Sequence, residues 1–293
     1  GYGLTSGLES LDEREIALWK QSIGAGNLYI NRPTTGAIVL RQPFGGVGLS
    51  AYGPGVKAGG PHYVLTLMQL SQSTTSVTPT PANSDAQHVE LDSLADWRHS
   101  CQSRMDPAVH HGLALAMESQ RRAVAKEFSR EHDTIRLVGQ DNLRRYRPVR
   151  SMTIRIASET TIQDGLIALS AALAVRAQVT LSIEPQVDSD AKALFESVAD
   201  FVPGLVHPVE ETDTQLADRI SKGHVNRLRL VGSGTGVIVA ACAEAFVTVV
   251  CEPVLVDGRI ECLRYMDEQS ISHDYHRYGN LGRRAEEARR EVS

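Results

Sequence analysis

The chain has 293 residues, 42% of them hydrophobic and 22% charged, enough apolar side chain for two compact cores rather than one. A formal net charge of −5 excludes a basic field able to hold nucleic acid or an anionic membrane surface non-specifically. The four cysteines (Cys101, Cys242, Cys251 and Cys262) form no CxxC pair, and no apolar run approaches the roughly 20 residues of a membrane span, so reduced thiols and a cytoplasmic protein without a span are expected.

The chain opens Gly1-Tyr2-Gly3-Leu4 without an initiator methionine, and structure is already under way by Leu4–Leu8; a C-terminal piece of a longer polypeptide is expected. Asp12 predicts the cap of a helix whose apolar residues Ile16, Trp19 and Ile23 recur at helical spacing, ended by Gly24 and Gly26. "NLYI" (27–30) reads as a short strand, and "HYVLTLMQL" (62–70) as a second apolar strand or a short helix. Residues 71–86, rich in Ser, Thr, Pro, Asn and Asp, read as a solvated connector.

Two amphipathic helices follow, "LDSLADWRHS" and the longer segment from Asp106, where Asp caps and Pro107 takes the first helical position. From residue 151 strands alternate with helices: strands at 151–156, 179–183, 227–231 and 247–251, helices near 162–175, 190–200, 213–222 and 235–245. That alternation predicts a parallel sheet covered by helices. The last 13 residues read as a frayed helical tail.

The stretch "GAIVLRQPFGGVGLS" (36–50) concentrates glycine around one aromatic ring. Gly45, Gly46 and Gly48 allow positive φ and close backbone approach, while Pro43 fixes the path into Phe44. Two readings stay open on these residues alone: the wall of a ligand site, or a tight turn whose phenylalanine plugs a core.

"GYGLTSGL", "GAGNLYINRPTTGAIVLRQPFGG" and "GLSAYGPGVKAGGPHYV" resemble the end of the catalytic domain of aldehyde dehydrogenases, more narrowly the L-glutamate γ-semialdehyde (Δ1-pyrroline-5-carboxylate) dehydrogenase module of bifunctional proline utilisation A flavoenzymes. "LVGQDNLRRYRP" (137–148) and "DEQSISHDYHRYGN" (267–280) are similar to the C-terminal domain and terminal motif of the longer members. The resemblance implies an α/β fold: the end of an aldehyde dehydrogenase catalytic domain, then a Rossmann-like, aldehyde-dehydrogenase-like domain with a parallel sheet that lacks the catalytic residues. It implies substrate binding by Thr35, Gly36 and Ala37, with the Gly36 and Ala37 N–H groups on the substrate carboxylate as a small nest, and Phe44 in the tunnel wall. It also implies NAD bound upstream of this chain, FAD in an upstream proline dehydrogenase module, a homo-oligomer, and a terminal segment covering the channel between active sites. The family wording "GLSGTGPKAGGP" is two residues shorter than the stretch here, which leaves the loop path after Ser50 open.

The expected domains are residues 1–70 as catalytic-domain end, 71–87 as linker, 88–147 as helical connector, 148–266 as the Rossmann-like domain and 267–293 as terminal lid motif and tail. Aldehyde oxidation needs a thiolate nucleophile, an oxyanion donor, a base and a nicotinamide. None of the four cysteines stands in such a context: Cys101 lies on a polar helical stretch, and Cys242, Cys251 and Cys262 read as small buried hydrophobes. No catalytic or metal-binding residue is expected here, so this chain alone is expected to be inactive. The alternatives are a non-catalytic oligomerisation and tunnel-lid module, or a degenerate nucleotide-binding domain.

That last alternative rests on Gly232, Gly234 and Gly236 after a strand, with Glu252 at the end of the next. The fingerprint's third glycine is misplaced, its position being Val237, and the resemblance favours a strand-to-helix turn without ligand. His273 and His276 have helical-face spacing but no third ligand, and read instead as part of a docked segment anchored by Tyr275 and Tyr278. His110 and His111 read as solvated, and Arg144, Arg145, Arg147 and Arg150 as partners of acidic groups across a domain interface.

Overall fold

A computed structural model describes residues 1–35, 37–51, 53–72, 88–276 and 278–289. The chain folds as two compact units: Gly1–Gln69, Ser129–Arg147 and Asp267–Ser293 in the first, Leu70–Phe128 and Pro148–Met266 in the second. The expected segments are thus interleaved. Residues 129–147 of the expected helical connector, and the terminal segment from 267, group with the N-terminal residues.

In chain order the elements are β1 (Tyr2–Gly3), β2 (Thr5–Leu8), α1 (Glu13–Ser22), β3 (Asn27–Ile30), β4 (Val47–Gly48), α2 (Val89–Ser100), α3 (Pro107–Ala123), β5 (His132–Asp133), β6 (Gln140–Pro148) and β7 (Met152–Ile156). There follow α4 (Ile162–Ala174), β8 (Val179–Ile183), α5 (Ser189–Phe201), β9 (Val206–Glu210), α6 (Asp213–Ser221), β10 (Arg227–Val231), α7 (Gly236–Glu244), β11 (Thr248–Val250), α8 (Gly258–Leu263) and β12 (Met266–Asp274). Residues 63–67 form a short 3₁₀ turn, the helical of the two readings open for that stretch.

The first unit is built on a sheet of order β2-β3-β12-β6-β5. β3 lies in parallel between β2 and β12, with Ser270 opposite Asn27 and Ser272 opposite Tyr29. Alternation along "NLYI" divides its side chains between two faces. Leu28 and Ile30 join Ile271, Ile16 of α1 and Ala25 in a core, with Trp19, Ile23 and Leu143 packed around it. Asn27 and Tyr29 point to the other face, where the glycine-rich stretch lies. α1 is capped as its sequence predicts, Asp12 accepting the Arg14 N–H at 2.9 Å.

Two of this sheet's strands were hidden by their polarity. "QDNLRRYRP" (β6) and "MDEQSISHD" (β12) carry few apolar residues, yet Glu268, Gln269, Ser270 and Ser272 are buried. Several of their polar groups meet partners from elsewhere in the chain: Ser272 Oγ donates to Asn142 Oδ1 at 3.0 Å and Gln269 Nε2 to the Ala25 carbonyl at 2.7 Å. Composition therefore did not mark them as core.

The second unit is a parallel sheet of order β11-β10-β7-β8-β9, and each expected strand and helix between 151 and 251 is found within a residue or two. Numbered from β7, this is the order 5-4-1-2-3, the first five strands of the six-stranded Rossmann order. β9, whose sequence gives no apolar run, is an edge strand; its "VHPVE" includes Pro208, tolerated where one side of the ladder is open. α4 is apolar all round, Gly165–Ala174 being buried, because it packs against β7 and β10 and also against α2, α3, α5 and α8. Leu228 and Leu230 of β10 face α6 and α7. On its opposite face, Arg229 is buried and meets buried Glu261 of α8 at 3.3 Å.

In the C-terminal tail the described residues form one 3₁₀ turn, Gly282–Arg284, rather than a frayed helix. Ion pairs hold it: Arg284 and Arg289 reach Asp141 of β6 at 2.8 and 2.7 Å, and Arg284 stacks 3.7 Å from the Tyr275 ring centroid. Those guanidinium hydrogen bonds and charges hold the Asp141 carboxyl below its ordinary pKa against the opposing effect of burial.

Candidate functional site

The Phe44 turn is fastened residue by residue to the polar face of β3 and β12. Gln42, buried, donates from Nε2 to Tyr29 Oη at 3.1 Å. The Pro43 carbonyl accepts Ser270 Oγ at 2.5 Å. Phe44 and Ala58 exchange backbone hydrogen bonds of 3.0 and 2.9 Å, and the Phe44 side chain is left half-buried. The Gly45 carbonyl accepts from Asn27 Nδ2 at 3.0 Å and from the Lys57 ammonium, while its N–H donates to Asn27 Oδ1 at 3.3 Å. The ring thus projects from backbone whose flanking polar groups are tied down, the preorganisation a binding wall needs.

The glycines serve this turn differently from expectation. Of Gly45, Gly46 and Gly48, Gly48 alone has positive φ, at 58°. Gly46 is required by close approach: a Cβ there would stand 2.1 Å from the Ser50 carbonyl oxygen. Gly26, just before β3, is required for the same reason, since a Cβ would meet the Gly45 oxygen at 2.2 Å and Lys57 Nζ at 2.5 Å.

Lys57 was missed in the sequence, where "KAGG" surrounds it with turn residues that signal exposure. It is wholly buried. Burial pulls its pKa down to about 8, opposed first by the charge of Glu268 and then by that of Asp267, both on β12.

Thr35 and Ala37 are exposed, as are Ile38, Val39 and Leu40. Gly36 lies outside the described residues. After Ser50, the loop returns through Gly53 and Gly55, both at positive φ, to the Phe44–Ala58 bridge.

The second candidate lies at the switch point between β7 and β10, where this sheet order opens a crevice beyond the strand ends. The chain's own side chains occupy it. Glu159, from the turn after β7, accepts the Ser233 N–H at 2.5 Å and also the Ser233 hydroxyl, while Thr160 Oγ1 donates to the Val231 carbonyl. The hydrogen bonds from Ser233 hold the Glu159 carboxyl below its ordinary pKa. Gly232 has φ 103°, and a Cβ on it would lie 3.0 Å from Thr160 Oγ1 and 3.1 Å from Glu159 Oε1. Gly234 precedes α7 and Gly236 begins it; Glu252 is exposed, and its carbonyl accepts Arg229 Nη1 at 2.7 Å. These glycines follow the fourth strand of the order, whereas the dinucleotide fingerprint belongs after the first. There the chain reads Ala157-Ser158-Glu159-Thr160-Thr161, without glycine. The residues present do not fit a dinucleotide pyrophosphate.

Burial raises the Cys242 pKa to about 11 and also holds that of Cys262 well above its ordinary value, so neither supplies thiolate near neutrality. Cys101 is buried at the end of α2, and Cys251 is exposed, contrary to the expectation of a buried hydrophobe. His273 sits on strand β12, and His276, beyond its end, packs on Gly139, so the pair does not share a helical face. No cluster of three or more metal-ligating side chains occurs among the described residues. Tyr275 is docked by its hydroxyl on the Gly139 N–H at 2.9 Å, but Tyr278 is fully exposed. Arg145 meets Glu131 at 3.4 Å within one unit, and Arg145 and Arg147 both donate to the Lys20 carbonyl at the C-terminal end of α1, a position that suits cations.

Residues 1–72 match the model of the aldehyde dehydrogenase family. The bifunctional protein PutA of Klebsiella aerogenes is 36% identical over 188 residues, 61% of this chain and 13% of the relative. The 1-pyrroline-5-carboxylate dehydrogenase of Bacillus subtilis is 47% identical over 73 residues, 25% of this chain and 14% of the relative. The structure of Proline Utilization A from Corynebacterium freiburgense covers 95% of this chain with 24% of its own length, at 27% identity and a TM-score of 0.62. The chain thus spans 13–14% of the length of these two curated relatives. Together the matches support a fragment of a PutA-type aldehyde dehydrogenase module, with an α/β fold of aldehyde dehydrogenase type. No helix among the described residues is long and apolar enough to cross a membrane.

Proposed function

We propose that this chain is the C-terminal part of an NAD-dependent dehydrogenase that oxidises L-glutamate γ-semialdehyde to L-glutamate in proline catabolism. The longer cytoplasmic protein is a homo-oligomer that also carries an FAD-dependent proline dehydrogenase. The observation that carries this reading is the fastened turn at Pro43–Gly45, inside the segment that matches the aldehyde dehydrogenase family. In this reading the N–H groups of Gly36 and Ala37, beside Thr35, hold the substrate carboxylate, and the Phe44 ring borders its aliphatic part. Nucleophile, oxyanion donor and NAD pocket belong to residues upstream of Gly1, and the isolated chain is inactive. The low thiolate content expected of Cys242 and Cys262 is consistent with that division.

The test is Phe44→Ala in the longer polypeptide that carries this chain. Loss of one aromatic contact is expected to raise KM for the semialdehyde about tenfold. An unchanged KM removes Phe44 from the tunnel, and a wild-type polypeptide unable to reduce NAD with the semialdehyde removes the whole reading.

The second unit is proposed to be non-catalytic. Glu159 seated against Ser233 at the switch point favours this over a nucleotide-binding role. The lid is confined to residues after β12, because 267–274 form part of a sheet.

A further inference from the structure

The C-terminal segment and the substrate loop meet at a group of contacts whose β12 side lies outside the family match of residues 1–72. Ser270 of β12 donates to the carbonyl of Pro43 at 2.5 Å. Asn27 of β3, the residue paired with Ser270, reads both backbone groups of Gly45 through its amide. Lys57 completes the arrangement, placing its buried ammonium on the same Gly45 carbonyl that Asn27 Nδ2 already engages, so both lone pairs of that oxygen are used. The charge that balances Lys57 comes from Glu268 and Asp267, again on β12. The Glu268 carboxylate and the Lys57 stem flank Gly60, each 3.3 Å from where a Cβ would stand.

We propose that Lys57 is a positioning residue for the Phe44 wall, and that β12 fixes that wall through Ser270 and through the acidic residues facing Lys57. The C-terminal strand is then a structural part of the aldehyde site. An ammonium donor suits this position, because a charge-assisted bond to a carbonyl in a desolvated setting is stronger than a neutral one, and the Lys57 ammonium takes up the space that Gly26 leaves open. Ser270 acts on the residue before Phe44 and Lys57 on the residue after it, so the two contacts restrain the ring's backbone from both sides. The effect on catalysis rests on the proposed dehydrogenase function; the clamp does not.

The experiment has two arms. In the 293-residue chain, amide hydrogen exchange at Phe44 and Ala58, which bond to one another, is measured for Lys57→Met and Ser270→Ala. Exchange is expected to accelerate about tenfold or more in each, with β8 and β10 unaltered, as for loss of one hydrogen bond that restrains a locally opening segment. If Lys57→Met does not fold, Ser270→Ala decides. Unchanged protection at Phe44 and Ala58 overturns the clamp. In the longer polypeptide, the same variants are expected to raise KM for the semialdehyde about tenfold while KM for NAD stays constant, a split that general destabilisation would not produce. An unaltered semialdehyde KM overturns the positioning role. A wild type without dehydrogenase activity defeats the proposed function instead, and the exchange arm still judges the clamp.

Discussion

Ser270 and Asn27 stand opposite one another in parallel strands and grip the same turn, one at the carbonyl of Pro43 and the other at the backbone of Gly45, although they come from opposite ends of the chain. The first unit therefore cannot assemble progressively from its N-terminus. Its sheet stays open between β3 and β6 until β12 arrives, which separates the consequences of two truncations.

Removing residues 281–293 is expected to leave both sheets folded and to cost the ion pairs of Arg284 and Arg289 with Asp141. Removing everything from Asp267 takes out a central strand, and the first unit is expected to lose cooperative folding while the second persists. Trp19 packs on the core of the first unit, and Trp97 is buried in the second, so tryptophan emission in Trp97→Phe and Trp19→Phe backgrounds follows each separately. Retention of a native Trp19 transition after the longer truncation would contradict the topology.

Lys57 makes stability depend on pH with a definite sign. Its pKa is about 8 in the folded chain, against about 10.4 for a solvated lysine. Between those values the unfolded chain binds the proton that the folded chain has released, so stability rises with pH. The contribution is complete above the unfolded value and is lost as pH falls through the folded one. Measured as urea stability through Trp19, the difference between wild type and Lys57→Met is expected to move in favour of wild type from pH about 8 to about 10.4, by a few kcal/mol, and to be flat below about pH 7. A difference constant across the whole range would show that Lys57 is not buried.

The buried pair Arg229–Glu261 makes a contrasting prediction for the second unit. Glu261 also accepts Tyr265 Oη at 3.0 Å, the Leu255 N–H at 3.0 Å and Arg264 Nη1 at 2.6 Å. Glu261→Gln leaves Arg229 without its countercharge and is expected to destabilise this unit by about 3–5 kcal/mol. The double variant Arg229→Met/Glu261→Leu is expected to recover much of that loss, because two desolvated charges are removed together. Equal instability in single and double variants, read through Trp97, would show that the loss comes from the other groups bound to Glu261, Arg264 among them, rather than from the uncompensated charge of Arg229.

Titration of NADH with the 293-residue chain is expected to leave nicotinamide fluorescence unchanged, and Glu159→Gln is expected to change nothing. The carboxylate occupies the switch point, but the deeper obstacle is the turn after β7, where Ala157–Thr161 offer no glycine for close approach of a pyrophosphate. Saturable binding by either protein would return Gly232, Gly234 and Gly236 to the role of a cofactor loop.

The second unit was legible in the sequence almost element by element, because its parallel strands are apolar runs such as "VTLSI" and its helices carry their own caps: Asp106, Thr161, Asp188 and the Thr212–Gln215 capping box. In the first unit α1 and β3 were legible on the same grounds, and "NRPTTGAIVLRQPFGG" marked the stretch around Phe44 by resemblance. Strands β6 and β12 were not, since buried side chains such as Asn142, Gln269 and Ser270 are stabilised by partners far away in the chain and carry no local hydrophobic signal. Nor was Lys57, whose burial follows from Gly26, Gly45 and β12 converging on it. Local pattern determined where helices and apolar strands form; only tertiary structure decided which polar residues become core, because a polar group is buried at low cost only when its hydrogen-bond partner arrives with it.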